Sequence, residues 1–581
     1  MDNQRNMILA VILSAIVLFA WTVIGDRYFP TAAPPVTKIE KGKSVALPNP
    51  SADPAADSPA AIRDRTVVLN ETPRIRIMTP RLQGSINLKG ARIDDLTLTT
   101  YRETIAKNAP PIRLLSPGGA ADSYFAQVGW SGDGIALPGP DTIWTPSGTV
   151  LSPGKPVTLS WTNPAGQRFT IRLSVDANYM FTIDQGVANG GSAPVAVRPY
   201  TLISRTGHSK DPSSTNIHIG PIGSFNGSTN YGVSYESLDG VAPSFFSHIF
   251  GSPADPGPQA YQSTGGWIGY GDKYWLTALV PNQTVPFEAN FRLAGEKRYQ
   301  ADVRTAQTVV APGRNVGTTT RFFAGAKEVT TLDAYKDAGI ARFDRAIDWG
   351  WFIWFEKPIF YLLDWLFRMV GNFGVAIILL TCIVRGLMFP VAQKQFKSMA
   401  GMRVVQPKMK ALQEKYKDDK PRLQQEMLKL YQEEKVNPLA GCLPIFLQAP
   451  IFYALYKVLM LTIEMRHQPF VLWLKDLSAP DPLTPVNLFG LLPFTPPGFL
   501  HLGVLAILLG ITMYLQFKLN PTPMDETQKQ VFAIMPWVFM FIMAGFAAGL
   551  QLYWVVSNCL TIAQQKWLYS RHPVLSEKPA G

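Results

Sequence analysis

Five apolar segments after residue 371 constrain the fold of this chain more than any other feature. They have the pattern of membrane-spanning helices, which need roughly 20 apolar residues to cross a bilayer. A sixth such segment, Met7–Ile24, has no charged residue and lies near the N-terminus. We therefore predict a membrane α-helical bundle of six transmembrane helices, five of which form the core. The five segments lie at 372–391, 443–461, 500–518, 531–545 and 549–567.

The N-terminal segment is predicted to be an uncleaved signal anchor. No convincing small-x-small cleavage site precedes Asp26, and a cleaved signal has a shorter apolar core. Arg5 and the terminal amine favour a cytoplasmic N-terminus, because basic residues flank the inner ends of membrane helices. We predict an anchor at 1–25. The many Pro, Ala and Ser residues that follow predict an extended linker at 26–60.

Residues 61–335 have the pattern of an all-β domain. Short runs such as QRFTIRLSV alternate apolar and polar residues and are separated by turn signals such as NPAG and NGG. This alternation indicates antiparallel strands, and many of them predict a large sandwich. His208 and His218 have no matching carboxylate or cysteine pattern, which disfavours an enzyme. The chain also has no P-loop, dinucleotide-binding glycine pattern or zinc-ligand spacing, so we predict no cofactor and no metal.

An aromatic group in this domain, in the run GGWIGYGDKYWLTALVP, has two interpretations. Its members would line a ligand groove or belong to the hydrophobic core. The core is favoured, because aromatic residues on strands usually pack inside. They are Trp267, Tyr270, Tyr274 and Trp275.

Residues 336–371 are predicted to form a helical connector that ends in an amphipathic helix. Trp351 and Trp354 begin a series of apolar residues at helical spacing, while Glu356 and Asp364 interrupt it. An aromatic-rich helix of this kind lies in the membrane interface. The alternative is a helix in a soluble core.

Basic residues predict how the segments after residue 371 cross the membrane. The connection at 393–437 holds eleven Lys and Arg residues, whereas the loop at 462–499 holds two. Cytoplasmic loops carry such an excess. We therefore predict that the connection at 393–437 and the tail at 571–581 are cytoplasmic. The membrane core is predicted at 372–570, and the connection at 393–437 belongs to it. The net charge of +12 therefore need not indicate nucleic-acid binding.

The cytoplasmic connection is predicted to be an antiparallel helical hairpin. Apolar residues recur every three or four positions on both sides of KDDKP, where Pro421 suits the first turn of a helix. Methionine adapts to irregular partners, so the methionines of this seam are candidates for contact with another protein. The alternative, a hairpin that packs on itself, is favoured from the spacing. The candidates are Met399, Met402, Met409 and Met427.

Arg385 lies inside the first of the five segments, in GVAIILLTCIVRGLMFP. In one interpretation its side chain extends to the cytoplasmic interface at the nearby helix end. In the other it faces a hydrated cavity, since an intramembrane charge is unfavourable and usually functional. Polar residues in neighbouring segments support the second, and no Asp or Glu lies in the five segments to pair with Arg385. These polar candidates are Thr381, Gln448, Gln516, Ser557, Asn558 and Thr561.

Several motifs resemble the YidC family of bacterial inner-membrane insertases and its mitochondrial and chloroplast relatives. The resemblance implies that Arg385 lies in a hydrophilic groove open to the cytoplasm and lipid. Thr381 and Tyr553 match family positions implicated in contact with client proteins, although Trp554 replaces the second tyrosine of the family pair. The motifs cover about 350–570 and are FGVAIILLTCIVRGLMFP, the hairpin from SMAGMRVVQPKMKALQEKY to NPLAGCLP, FLQAPIFYALYKVL, FVLWLKDLSAPDP and GLQLYWVVSN.

The resemblance also implies the remaining architecture and the partners. GGWIGYGDKYWLTALVP is similar to the large periplasmic all-β domain of the Gram-negative form, a β-supersandwich. The implied function is insertion and folding of nascent membrane proteins in the inner membrane, alone or with the Sec translocon, without an enzymatic reaction. The implied partners are these clients, the ribosome, the signal-recognition-particle receptor and membrane lipids, with no specific nucleic-acid binding apart from the ribosome. The alternative is a secondary transporter or channel with an intramembrane arginine, disfavoured because no internal repeat is visible.

Overall fold

The structure is a computed structural model of the chain. It describes residues 39–40, 43–44, 62–211, 217–241, 254–416, 419–434, 443–489, 491–492, 494, 502–519 and 526–571, and within the helices it does not describe the side chains at 394–404, 406, 410, 420, 443–447, 526–529, 531–532, 569 and 571. The chain divides into two compact units, Met1–Asp348 and Trp349–Gly581. The predicted signal anchor and nearly all of the predicted linker lie outside the described residues.

The first unit consists mainly of strands. They are β1 (Ile39–Glu40), β2 (Lys43–Ser44), β3 (Arg74–Met78), β4 (Leu82–Asn87), β5 (Arg92–Arg102), β6 (Pro111–Leu115), β7 (Tyr124–Ser131), β8 (Thr145–Pro146), β9 (Val150–Leu151), β10 (Val157–Thr162), β11 (Gln167–Val175), β12 (Met180–Asn189), β13 (Val195–Thr206), β14 (Gly220–Phe225), β15 (Ser228–Asn230), β16 (Gln259–Thr264), β17 (Gly266–Gly271), β18 (Trp275–Val280), β19 (Pro286–Leu293), β20 (Arg298–Arg304), β21 (Thr308–Val310) and β22 (Asn315–Ala326).

Most of these strands form two large sheets. The nine-stranded sheet has the order β15–β14–β17–β18–β22–β12–β11–β10–β8. The eleven-stranded sheet has the order β16–β19–β20–β13–β7–β5–β4–β3–β9, with β21 paired to β13 and β6 paired to β5. Neighbouring strands run antiparallel, except that β3 and β9 are parallel.

Period-two alternation explains how the two sheets form a sandwich. In β11, Phe169, Ile171 and Leu173 are buried, while Arg168 and Arg172, on the opposite face of the strand, are exposed. Contacts join the sheets face to face: Trp130 of β7 stacks edge-on against Phe169, and the Gln185 amide of β12 donates to the Gly129 carbonyl oxygen of β7 at 2.9 Å. The predicted all-β sandwich is confirmed.

The aromatic group of β17 and β18 belongs mainly to the core of this unit. Trp267 and Tyr270 have no exposed surface, and Tyr274 is 8% exposed. Trp267 packs edge-on against Phe343 of a short helical turn after the last strand. The described residues of this unit also form short helices, namely α1 (Arg65–Asn70), α2 (Tyr235–Leu238) and α3 (Val329–Asp337).

The second unit is helical. Its helices are α4 (Ile353–Val370), α5 (Phe373–Leu387), α6 (Phe389–Lys415), α7 (Lys420–Glu433), α8 (Leu443–Leu461), α9 (Val504–Leu519), α10 (Glu526–Ala544) and α11 (Ala548–Arg571). Over the part of the chain that the structure describes, none of the helices combines the length and the apolar character needed to cross a membrane. The predicted count of six transmembrane helices is therefore not confirmed.

Helix α11 packs extensively on α5 and α9 and less extensively on α8 and α6, while α4 packs on α5 and α8 and α10 packs on α9. Helix α4 is amphipathic as predicted: Leu363 and Leu366 are buried, while Trp354 and Trp365 are 68% and 58% exposed. The side-chain oxygen of Asn372 accepts a hydrogen bond from the Val375 N–H and so caps the start of α5. These contacts fix the helix faces that carry the polar residues.

Candidate functional site

The polar residues of α11 lie on one side of that helix. Tyr553, Ser557 and Thr561 are four residues apart, so their side chains lie one above another on a helix. Asn558 is next to Ser557 and is, like it, nearly buried. Because α11 is central in the bundle, this side faces the neighbouring helices.

Arg385 of α5 points at this polar side. Its Nε donates a hydrogen bond to the Ser557 hydroxyl oxygen at 3.0 Å, and its Nη2 donates to the same oxygen at 2.5 Å. Arg385 lies in the last turn of α5, where the negative end of the helix dipole favours a cation. Among the described residues, no carboxylate forms an ion pair with it.

The hydrogen-bonding capacity of Arg385 is only partly used. A guanidinium has five N–H donors, and the Ser557 hydroxyl takes two of them. The other three N–H donors have no acceptor within the described part of the chain. Arg385 is half-buried, so these donors remain accessible to water or to a bound segment of another protein.

Two further hydrogen bonds join α11 to α8 and α9. The Gln448 amide of α8 donates to the Tyr553 hydroxyl at 2.5 Å. The Asn558 amide donates to the Thr512 hydroxyl of α9 at 3.1 Å. Together with Arg385 and Ser557, these pairs bring four helices to one polar cluster.

The two predicted threonines bond within their own helices. The Thr381 hydroxyl donates to the Ile377 carbonyl oxygen at 2.6 Å, and that of Thr561 donates to the Ser557 carbonyl oxygen at 2.7 Å. Threonine hydroxyls in helices often bond in this way. Thr381 has no exposed surface, whereas Thr561 is half-buried. Gln516 is also half-buried and lies one turn after Thr512 on α9.

Sequence reasoning missed two members of this region, Thr512 and Gln551. Thr512 accepts the bond from Asn558, and the buried Gln551 amide donates to the Phe546 carbonyl oxygen at 2.8 Å. The signal for Thr512 was its position one turn before Gln516 in an apolar segment. Trp554 packs between Phe452 and Phe539.

The predicted hairpin of α6 and α7 packs on itself. Val405, Met409 and Leu430 are buried between the two helices, and Met427 packs against them. A Lys408–Glu434 ion pair of 2.5 Å joins the helices. Met409 is only 2% exposed, so it has little surface for another protein. The side chains of Met399 and Met402 lie outside the described residues.

No three His, Cys, Asp or Glu side chains within the described ranges come together in a way that would hold a metal ion. The polar cluster offers hydrogen bonds and the positive charge of Arg385. Such a site attracts carboxylates and polar backbone groups.

Comparison with known families defines the class to which these two units belong. Residues 365–575 match the family model of the 60Kd inner membrane protein, and residues 74–362 match the YidC periplasmic domain. The chain is thus an inner-membrane protein with a periplasmic domain, and the β-sandwich and the helical bundle coincide with the two matches.

Full-length relatives identify the family. The chain is 48% identical over 578 residues to the membrane protein insertase YidC of Zymomonas mobilis, covering 99% of this chain and 97% of the relative. It is 44% identical over 600 residues to that of Rhizobium meliloti, with coverage of 99% and 97%. The chain belongs to the YidC family of membrane protein insertases, and its clients are membrane proteins. The alternative of a transporter or channel receives no support.

Solved structures add little to this assignment. The crystal structure of an active YidC insertase with its first transmembrane domain resolved is 18% identical, covers 95% of this chain and 98% of its own, and has a TM-score of 0.36. A galactose mutarotase related enzyme from Lactobacillus acidophilus is 9% identical, covers 43% and 98%, and has a TM-score of 0.29. TM-scores this low carry no argument about function.

Proposed function

We propose that the polar cluster around Arg385 is the groove that receives hydrophilic segments of client proteins during insertion. The observation that carries this proposal is the bonding of Arg385, which among the described residues donates only to the neutral hydroxyl of Ser557. A permanently charged group with three open donors attracts carboxylates and peptide carbonyl groups. A purely structural arginine would use its donors within the fold.

The groove lowers the barrier for moving a hydrophilic client segment. Placing one charged residue at the centre of a bilayer costs about 2.5–3.5 kcal/mol on insertion scales. A site that supplies hydrogen bonds and a counter-charge part-way across reduces that cost. The apolar client helix then moves sideways into lipid, where burial contributes about 25 cal/mol per Å². The membrane potential adds about 2.3 kcal/mol per charge per 100 mV.

We further propose the arrangement and partners of the protein. The N- and C-termini and residues 393–437 are cytoplasmic, the β domain is periplasmic, and six transmembrane helices include the N-terminal anchor. The ribosome and the signal-recognition-particle receptor act on the cytoplasmic side, and the Sec translocon cooperates in the membrane. The resemblance of the core motifs to the family supports these partners, and insertion proceeds without an enzymatic step.

Insertion into liposomes of a client with an acidic translocated segment tests the groove. The client is compared with a version whose acidic residues are replaced by Asn and Gln. Arg385→Ala should reduce insertion of the acidic client by about tenfold, as expected for loss of roughly 1.4 kcal/mol of a charge-assisted hydrogen bond. The neutral client should insert almost normally.

Arg368→Ala is the matched control. Arg368 is an exposed arginine of α4 that pairs with Asp364, and an exposed pair of this kind contributes little. Both clients should insert normally with this variant. If Arg385→Ala inserts both clients as well as the parent protein does, the groove proposal is wrong.

A further inference from the structure

The loop between α8 and α9 exposes large apolar side chains at two turns. Leu472 of the first turn is 83% exposed. In the second turn, Leu491 is 82% exposed and Leu488 and Phe489 are each more than half exposed. Single exposed apolar residues are common, but several close together mark an interaction surface. We call these two turns the apolar turns; they comprise residues 470–474 and, in the second turn, the described residues 484–489, 491–492 and 494.

The sequence around the second turn is free of charge. No Asp, Glu, Lys or Arg occurs from Pro482 to Phe517, a run of 36 residues. A loop that meets water or a charged partner usually carries some of these residues. The absence of charge indicates an apolar environment for the second turn and for the start of α9.

The backbone holds these side chains outward at an energetic disadvantage. Leu472, Leu488 and Phe489 have φ angles of 56°, 51° and 59°, in the left-handed region that favours glycine or asparagine. Strain of this kind persists where the surrounding structure requires it and often marks function. Here it keeps three large apolar residues at the tips of turns.

Several backbone N–H groups of the second turn bond within the turn itself. Those of Leu488, Phe489, Leu491 and Leu492 donate to carbonyl oxygens at 3.0, 2.9, 3.3 and 3.1 Å, all within residues 484–492. The Val486 N–H donates to the Thr484 hydroxyl oxygen at 3.2 Å. A turn in contact with hydrocarbon must bond its N–H groups internally, because no water is available.

Asp481 ties both turns to the start of α9. Its Oδ1 accepts from the Trp473 indole at 2.9 Å and from the Leu483 N–H at 3.1 Å. Its Oδ2 accepts from the Leu505 N–H at 2.9 Å, in the first turn of α9. This carboxylate therefore fixes the apolar turns to the helical bundle.

We propose that the apolar turns insert into the lipid bilayer at the N-terminal end of α9. Lipid is the partner of this surface for two reasons. The exposed apolar surface continues along α9, where Leu508, Ile511 and Leu515 are each at least 40% exposed. The protein also belongs to the inner membrane. A protein partner would be expected to meet polar or charged groups around such a surface. The turns thus anchor the extramembrane end of α9 in the lipid interface, a role independent of the client groove.

Depth-dependent fluorescence quenching tests this proposal on the full chain in liposomes. Leu472→Cys, Leu488→Cys and Leu491→Cys are made after the three native cysteines are replaced by Ala, and each site is labelled with an environment-sensitive fluorophore. Labels at the apolar turns should lie about 5–10 Å below the headgroup level, the depth of interfacial apolar surfaces. A shallow nitroxide lipid should then quench most of their emission, and aqueous iodide should quench little.

Two matched sites calibrate the result. Val309→Cys, 67% exposed in the β domain, should respond to iodide only, and Leu508→Cys on α9 should respond to nitroxide lipid only. If the labels at the apolar turns behave like Val309, the proposal is overturned. If they are shielded from both quenchers, a protein covers the turns, and the lipid proposal is equally overturned.

Discussion

Arg385 presents more hydrogen-bond donors than the described residues around it accept, and among those residues Ser557 is the one that accepts from it. The hydroxyl oxygen of Ser557 accepts from both Nε and Nη2, which holds that edge of the guanidinium against α11. The charge of Arg385 and the orientation of its guanidinium can therefore be changed separately by substitution. A lysine keeps the charge but has no planar fork.

Two substitutions separate charge from orientation. Arg385→Lys should retain most insertion of an acidic client if charge is sufficient, and should lose about tenfold if the fork is needed, a difference of roughly 1.4 kcal/mol. Ser557→Ala keeps the arginine but removes its acceptor, so it should lower insertion less than Arg385→Ala does. Insertion assays with the acidic and neutral clients measure both. A larger defect in Ser557→Ala than in Arg385→Ala would show that the serine serves the fold.

Lys327, directly after β22, is a buried cation in the first unit. It is 3% exposed, and burial lowers its pKa from 10.5 to about 8, although Asp272, Asp211 and Asp348 partly oppose the shift. Between pH 8 and 10.5 the unfolded chain binds more protons here than the folded chain does. The free energy of unfolding should therefore rise with pH across this window, by up to about 3 kcal/mol. Below pH 8 the full penalty for burying the charge applies.

Lys327→Met should remove that pH dependence and raise the free energy of unfolding at pH 7. Urea unfolding of the full-length protein in detergent, with the first unit followed by pulse proteolysis, measures the effect between pH 7 and 10.5. Lys155→Met is the control, because Lys155 is exposed and its replacement should leave the slope unchanged. If the slope in Lys327→Met equals that of the parent protein, the buried lysine does not titrate in this window.

At the scale of elements, the hairpin of α6 and α7 is held together by a small apolar cluster. Met409 lies within it, whereas Leu428 on α7 is 61% exposed. Met409→Ala should destabilise the pairing of the two helices by about 2 kcal/mol or more, the usual result of shortening a buried side chain. Hydrogen exchange of α7 by mass spectrometry measures the loss of protection.

Leu428→Ala provides the comparison for Met409. It removes apolar surface from the same hairpin without opening a cavity, so protection of α7 should change little. Equal effects of the two substitutions would mean that the apolar cluster does not hold the hairpin. A client that contacts Met409 would first have to separate the helices.

Elements with a strong periodic signal could be predicted from the sequence, and cross-helix contacts could not. The alternation in QRFTIRLSV gave β11, because one face of that strand is buried and the other is not. The segment predicted at 549–567 corresponds to α11. The Gln448–Tyr553 bond joins residues 105 positions apart, and its existence depends on how α8 packs on α11. No local pattern records that packing, and for the same reason Thr512 was missed.

The end of the first unit illustrates a second limit. A change from strands to helical spacing predicts a boundary near residue 335, whereas the compact unit ends at Asp348. Phe343 packs against Phe323, Tyr335 and Trp267, so the helical segment after β22 completes the core of the sandwich. Periodicity identifies the type of an element but not the core in which it is buried.

At the scale of the whole molecule, the proposed topology can be tested with single cysteines in the cysteine-free chain. Val309→Cys and Lys475→Cys should react with a membrane-impermeant maleimide added to spheroplasts. Leu428→Cys should react only after the membrane is permeabilised. All three positions are exposed. Labelling at each position is measured as a mass shift on a gel. Labelling of Leu428→Cys but not Val309→Cys in intact spheroplasts would reverse the topology.

The last strand of the β domain to leave the ribosome, β22, occupies the middle of the nine-stranded sheet. It lies between β18 and β12, so without it the sheet is two separate halves with open edges. The sheet cannot close until synthesis has passed Ala326, and pairings between distant segments form slowly. Until synthesis has passed Ala326, the domain is therefore an unclosed chain. Its exposed edges would pair with other chains, so an insertase of this form itself needs protection from aggregation while it is being made.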